Sequence, residues 1–336
     1  MHRVIESSDT PLDGIHLRAY PLHEFLPRLS DGCDSKKASL GQLPDNLLSI
    51  WLEAVSPHEP HKLERRLSWD NIDVSQLSNI IQSTDSLPDE YTLDIKSSAG
   101  WISALSEVTT SLQNQWDRPL SPYQASENLL KQLPFVDLWL PAYDRGLELL
   151  KQNLASQMEE YDIHQQVLED LANSLLERLV YIGEQLLWIQ FSANRGPGAV
   201  LMAHLGPNCD GSDPPSREYY NKFIQQHRRD GLRHLLDEFP VFGRLIGTAF
   251  LLWLEASTET IKRVSNDNNL LQTAFGLSPN TPLVSIRQGL SDPHRGGRAV
   301  SILTYGTDDD AVKIVYKPKD MRLDKVYQDM LGDLNQ

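Results

Sequence analysis

The most regular pattern along the chain is a helical one that runs through its middle part. Between residues 162 and 191 apolar side chains recur at every third or fourth position, which is the spacing of one face of an amphipathic helix. The residues of this face are Val167, Leu168, Leu171, Leu175, Leu179, Ile182, Leu186 and Ile189. A second such face follows Pro240, a residue that suits the first turn of a helix. It consists of Val241, Leu245, Ala249, Leu252 and Ala256. Both faces are typical of a helical core rather than of a cofactor surface.

The pattern changes near the C-terminus, where side chains alternate with the period of a β-strand. Ala299, Ser301 and Leu303 alternate there with Val300, Ile302 and Thr304, and Val312, Ile314 and Tyr316 alternate with Lys313, Val315 and Lys317. A further strand is predicted from Val284, and polar, turn-forming residues at 306–310 separate the last two strands. The predicted fold is therefore α+β: mostly α-helical, with a small antiparallel β-sheet near the C-terminus.

These patterns divide the chain into three segments. Residues 1–133 contain much Pro, Ser, Asp and Gly and only short helical patterns, such as the one at 47–55, so we expect an irregular and partly helical region. Residues 134–282 are predicted to form a helical body. Residues 283–336 hold the strands and the start of a following helix, which Asp324 is expected to cap.

Charge and composition narrow the classes of function. The net charge of -15 argues against general nucleic-acid binding. Residues 284–325 nevertheless hold eight Lys and Arg against six Asp and Glu, which favours a local anion site. The two cysteines, Cys33 and Cys209, have no metal-ligand or disulfide spacing, so a reducing cytoplasm is predicted. We expect no secretory signal at the N-terminus, and the apolar run at 245–254 is too short to span a bilayer.

The turn between the first two strands, SDPHRGGR, concentrates the candidate chemistry. Gly296 and Gly297 permit positive φ in a tight turn, so that backbone N–H groups can approach an anion. The polar residues of the same span are Asp292, His294, Arg295 and Arg298. Such a turn can hold a phosphate group, and an Asp and a His can orient and move a proton. Residue types alone leave open the alternative of a surface hairpin with flanking charges.

This turn and the residues after it resemble a known family. The stretch SDPHRGGRAVSIL, followed by VKIVYKPKDMRLDKVYQDMLGDLN, is similar to the dehydratase domain of class II lanthipeptide synthetases, the LanM enzymes of lantibiotic biosynthesis. The likeness extends over about fifty residues, and the helical stretch from residue 135 onwards is similar in pattern.

The resemblance implies a sheet akin to the N-lobe of lipid kinases and a reaction in two steps. In the first step, enzymes of this family use ATP and Mg²⁺ to phosphorylate Ser or Thr of a ribosomal precursor peptide that carries a leader. In the second step, elimination of the phosphate gives dehydroalanine or dehydrobutyrine. On the matching positions, Lys317 is expected to serve phosphate transfer, and Asp292 and His294 are expected to serve elimination. The further residues expected to bind phosphate or nucleotide are Gly296, Gly297 and Arg298.

Members of this family continue past the position that corresponds to Gln336. We therefore expect the ligands of Mg²⁺ in a second lobe beyond Gln336, a zinc-dependent cyclase after it, and no activity from residues 1–336 as an isolated fragment. No metal ligand is assigned within these residues. Two alternatives stay open, namely a non-catalytic helical scaffold that binds a precursor peptide and another kinase-like phosphotransferase. The sequence gives no indication of oligomeric state.

Overall fold

The structure is a computed structural model, and it describes residues 19, 59–69, 71–75, 100–117, 133–160, 163–194, 218–278, 281–294, 296–307 and 311–334. Several features of the sequence lie outside these residues. They are the helical pattern at 47–55, the acidic tip at 308–310, Cys33, Cys209 and Arg295.

The described residues form helices that are followed by one small sheet and a last helix. The helices are α1 (Pro60–Trp69), α2 (Gly100–Asn114), α3 (Val136–Asn153), α4 (Ala155–Glu160), α5 (Gln165–Asn194), α6 (Glu218–Arg229), α7 (Arg233–Glu238), α8 (Pro240–Asn266), α9 (Asn268–Phe275) and α10 (Arg322–Leu334). The strands are β1 (Leu283–Arg287), β2 (Ser301–Tyr305) and β3 (Val312–Tyr316). The α+β class, mostly helical with a small antiparallel sheet near the C-terminus, is confirmed.

The chain divides into two compact units. The first consists of Met1–Ser103 and Arg233–Leu245, and the second of Ala104–Leu232 and Ile246–Gln336. In the first unit, α1 buries Leu63 and Leu67, which lie one helical turn apart. The guanidinium of Arg244 lies 5.9 Å from the ring centre of Trp101, a cation–π contact. The boundaries of these two units differ from those of the three segments predicted from the sequence, and the division into three segments stays a prediction.

The core of the second unit lies where α3, α5 and α8 approach one another. A Cβ atom at Gly146 of α3 would lie 2.7 Å from Leu175 of α5 and 3.1 Å from Trp253 of α8, so only glycine permits this approach. The indole Nε1 of Trp253 donates a hydrogen bond of 2.8 Å to the carbonyl oxygen of Leu171. These helices supply a well-packed support for the sheet.

The predicted inner faces are partly wrong. On α5 the face is buried through Leu179, but Ile189 is 55% exposed and Leu187 is buried in its place. The reason is a change of packing partner, since the end of α5 packs Phe191 against a cluster of aromatic rings that includes Phe135 and Phe223. At the start of α8, which belongs to the first unit, Val241 and Leu245 are likewise exposed.

The sheet has the order β1-β2-β3, and both pairings are antiparallel. Ile286, Leu303 and Ile314 lie opposite one another on the three strands and are all buried. The carboxylate of Asp170 on α5 accepts hydrogen bonds from the Ser285 hydroxyl at 2.6 Å and from the Ile286 N–H at 3.1 Å. The helical core therefore fixes the first strand directly, and the strands predicted by alternation are confirmed.

Helix α10 follows the sheet and buries none of its residues. Asp324 lies within its first turn, and its carboxylate contacts the ammonium of Lys319 at 3.3 Å. No helix in the described part of the chain has the length and the apolar character needed to cross a lipid bilayer.

Candidate functional site

The loop that joins β1 to β2, residues 288–300, is itself held as a narrow hairpin. The backbones of His294 and Arg298 exchange two hydrogen bonds, of 2.8 and 3.0 Å. Further back, the N–H of Leu290 donates to the carbonyl oxygen of Val300 at 3.1 Å, and the N–H of Val300 donates to the Ser291 hydroxyl at 3.0 Å. These bonds fix the backbone of His294 relative to the sheet.

Two glycines make the tip of this loop possible. Gly296 and Gly297 have φ angles of 83° and 81°, in the left-handed region that other residues rarely adopt. Gly297 also lies against α8, where an added Cβ would be 3.0 Å from the Cβ of Leu252 and 3.3 Å from its carbonyl oxygen. The predicted glycine turn therefore has positive φ, as expected, and it rests on a helix.

Arg298 binds the loop to α8 through an ion pair. Its Nε donates to a carboxylate oxygen of Glu259 at 2.8 Å, and its Nη2 contacts the same oxygen. Glu259 also pairs with Arg263, whose Nη1 donates to the Tyr316 hydroxyl at 3.2 Å. The hydrogen bonds from Arg298, together with the charge of Arg263, lower the pKa of the Glu259 carboxyl. Glu259 is thus ionised at neutral pH, and its negative charge compensates the positive charge of Arg298.

The loop and the end of β3 enclose a common cavity of about 420 Å³. His294, Arg298 and Lys317 all line it, so the structure brings together three of the predicted site residues. The other lining residues are Ser291, Val300, Pro318, Lys319 and Asp320. The side chain of Lys317 is exposed and makes no ion pair with any residue that the structure describes.

The remaining predicted residues lie beside this cavity rather than in its wall. Asp292 is exposed and does not line the cavity, although it precedes His294 by only two positions. Gly296 and Gly297 shape the turn, and Gly297 lines a neighbouring cavity. The roles assigned to all these residues stay predictions.

Sequence reasoning did not single out some residues of the site. Ser291 is the first residue of SDPHRGGR, and Lys319 is the second lysine of YKPK, so the motif itself could have identified both as site residues. Glu259 carries no local signal, because it lies on a helix in another part of the chain. No cluster of three or more His, Cys, Asp or Glu suited to a metal ion occurs within the described ranges.

Comparison with known proteins bears on this same part of the chain. Residues 239–336 match a family model described as a domain of unknown function (DUF4135), a domain found in lanthionine synthetase-like proteins. The C-terminal part is similar to this domain. The match covers less than half of the chain, but it includes the sheet, the glycine turn and Lys317. A search of curated proteins finds no match.

Proposed function

We propose that this chain forms the nucleotide-phosphate site of a peptide dehydratase of the lanthipeptide synthetase kind. It would phosphorylate Ser or Thr of a ribosomal precursor peptide with ATP and Mg²⁺ and then eliminate the phosphate. The observation that carries the proposal is the single cavity lined by His294, Arg298 and Lys317. The match of residues 239–336 to a domain found in lanthionine synthetase-like proteins supports it as well.

Lys317 has the properties needed to neutralise nucleotide phosphates. Its ammonium is exposed in the cavity wall and is not engaged by a described carboxylate, whereas neighbouring Lys319 pairs with Asp324. Lys317 directly follows Tyr316, the last residue of β3, which pairs with Ser301 of β2, so the side chain starts from a defined position. Bound ATP would supply the phosphoryl group, and the role of Lys317 would be to hold its negative charge. No residue is proposed as a ligand of Mg²⁺.

His294 is proposed to act in the second step. Its side chain is exposed and lines the cavity, and the backbone bonds to Arg298 fix its main chain. As a base it would take the proton from the α-carbon of the phosphorylated residue. The electron pair of that C–H bond then forms the Cα=Cβ double bond, and the Cβ–O bond breaks so that phosphate leaves with its electrons. Asp292, two positions before His294 in the DPH motif, would orient the imidazole.

A non-catalytic peptide-binding scaffold is the second candidate. The observation that favours it is the apolar face of α10, which is exposed along the whole helix. The exposed apolar residues are Leu323, Val326, Tyr327, Met330 and Leu334. Contiguous exposed apolar surface marks contact sites, so a binding role without chemistry would account for this helix. It would not account for the presence of Lys317 and His294 in one cavity.

Mass spectrometry of the peptide separates these candidates. The full-length gene product is mixed with ATP, Mg²⁺ and a precursor peptide encoded beside the gene. Dehydration removes the mass of one water per modified residue, whereas a scaffold binds the peptide and leaves its mass unchanged. Absence of any mass change in the presence of demonstrated peptide binding would reject the dehydratase.

Variants then separate the two steps. Lys317→Ala is expected to abolish phosphorylation and to leave peptide binding intact, because the ammonium is needed only for nucleotide phosphates. Lys313→Ala is the matched control, since Lys313 is an exposed lysine of β3, the strand that Lys317 follows, and does not line the cavity. His294→Ala is expected to let a peptide heavier by about 80 Da, one phosphate, accumulate. Dehydrated product from the Lys317 variant, or no phosphopeptide from the His294 variant, would contradict the assigned roles.

A further inference from the structure

A second cavity adjoins the one that His294, Arg298 and Lys317 line. It has a volume of about 340 Å³ and lies between α5, α8 and the loop that joins β1 to β2. Ser291, Arg298 and Pro318 line both cavities, so the two share a wall.

The second cavity contains a guanidinium that forms no ion pair with the residues that the structure describes. Arg178 of α5 lines it and is only partly exposed. Within the described residues, Arg178 makes no hydrogen bond and no ion pair. Burial lowers the pKa of its guanidinium. An arginine in such surroundings gains more from an anion than one that water already surrounds.

The other groups of the cavity are compatible with an anion of small size. Arg298 contributes a second guanidinium, although Glu259 already compensates it. Among the described lining residues Glu177 is the one carboxylate, and its side chain is exposed, so water screens its repulsion. Gln288 and Ser291 supply polar groups from the loop.

We propose that Arg178 is the anchor of an anion subsite that binds a phosphate group next to the Lys317 cavity. A guanidinium presents parallel N–H donors that match two phosphate oxygens, which makes phosphate a better ligand than chloride. The phosphate has two possible sources, a phosphorylated side chain of the peptide or inorganic phosphate after its release. The existence of the subsite follows from the cavity, whereas the peptide as a source rests on the proposed function.

Chemical protection tests the subsite at the residue itself. Phenylglyoxal modifies arginine side chains, and peptide mapping by mass spectrometry gives the rate at each arginine of the full chain. We expect inorganic phosphate to slow modification of Arg178 at least fivefold relative to chloride or acetate at equal ionic strength. Arg287 is the internal control, because it is exposed, belongs to the same unit and lines neither cavity. Equal rates at Arg178 with and without phosphate would overturn the proposal.

Variants give an independent measurement. By calorimetry, Arg178→Gln is expected to weaken the binding of inorganic phosphate about tenfold, the effect of one bidentate charge-assisted contact. Arg287→Gln should leave it unchanged. Glu177→Gln is expected to strengthen binding by about threefold, because it removes a like charge from the cavity. Equal affinity in the Arg178 variant and the wild-type protein would contradict the subsite.

Two further arms identify the source of the phosphate and separate this proposal from the enzymatic one. A phosphoserine peptide that protects Arg178 better than inorganic phosphate points to the phosphorylated side chain, and the reverse order points to released phosphate. Protection of Arg178 in the Lys317→Ala variant is expected to persist. Protection of Arg178 without any peptide phosphorylation would reject the dehydratase proposal and support the subsite. Peptide phosphorylation without protection of Arg178 would reject the subsite and support the dehydratase proposal.

Discussion

The contact between the glycine turn and α8 gives a sharp test of how the site is built. At Gly297 an alanine faces two separate costs. Its φ of 81° is unfavourable for a residue with a Cβ, by about 1–2 kcal/mol. Its Cβ would also lie 3.0 Å from the Cβ of Leu252 and 3.3 Å from the carbonyl oxygen, and overpacking of this kind costs about 1–3 kcal/mol. We expect Gly297→Ala to lose about 2–5 kcal/mol of unfolding free energy.

Gly289→Ala is the matched control, because it isolates the first cost. Gly289 lies in the same loop with a φ of 76°, but an added Cβ would meet no atom of the described residues within 4 Å. This variant should therefore lose only about 1–2 kcal/mol. In a unit of this size each kcal/mol shifts the melting temperature by about 2–4 °C. A contact cost of about 2 kcal/mol thus separates the two variants by about 4–8 °C.

Thermal melting followed by circular dichroism, together with urea unfolding, measures this difference. If the two variants lose the same stability within about 0.5 kcal/mol, the close approach of the turn to Leu252 does not constrain Gly297. A larger loss at Gly289 would contradict the described packing outright. If the cost at Gly297 is relieved by a shift of the loop away from α8, the same variant should also accumulate phosphopeptide, since His294, which is proposed to act in elimination, moves with the loop.

Two more predictions concern the contacts that hold the loop and sheet to the helices. Glu259→Gln should lose about 1–2 kcal/mol of unfolding free energy at neutral pH. Because Arg298 lowers the pKa of Glu259 below its ordinary 4.5, the stability advantage of the wild-type protein is present above that pH and should vanish as the pH falls through the folded-state pKa. Urea unfolding from pH 3 to 7 measures this advantage, and a constant difference between the two proteins would contradict the prediction. Asp170→Ala should cost about 2 kcal/mol of unfolding free energy and speed amide exchange in β1, because it removes the hydrogen bonds from the Ser285 hydroxyl and the Ile286 N–H. The control Glu169→Ala loses only a hydrogen bond within its own helix and should cost less than about 0.5 kcal/mol. Equal costs would refute the anchoring role of Asp170.

Much of the fold could be predicted because its signals are local. Alternation at residues 299–317 predicted β2 and β3, since a strand with one buried face requires period two, and burial of Leu303 and Ile314 confirms that face. Adjacent glycines likewise predicted a turn with positive φ. The helix faces were predicted less well. Periodicity indicates that a helix has an apolar face, but neighbours decide which residues are covered, and they leave Ile189 and Val241 exposed.

The sequence by itself therefore determined the types of element, the glycine turn and the presence of His294 and Lys317 on either side of β2, because each of these depends on neighbouring residues. Only the tertiary structure decided that His294 and Lys317 share a cavity, that Glu259 holds Arg298, and that Arg178 lies beside the same loop. Helices and strands come from local periodicity, whereas contacts between residues far apart in the chain depend on how those elements pack. Packing is set by the fit of whole surfaces, and no single stretch of sequence contains that information.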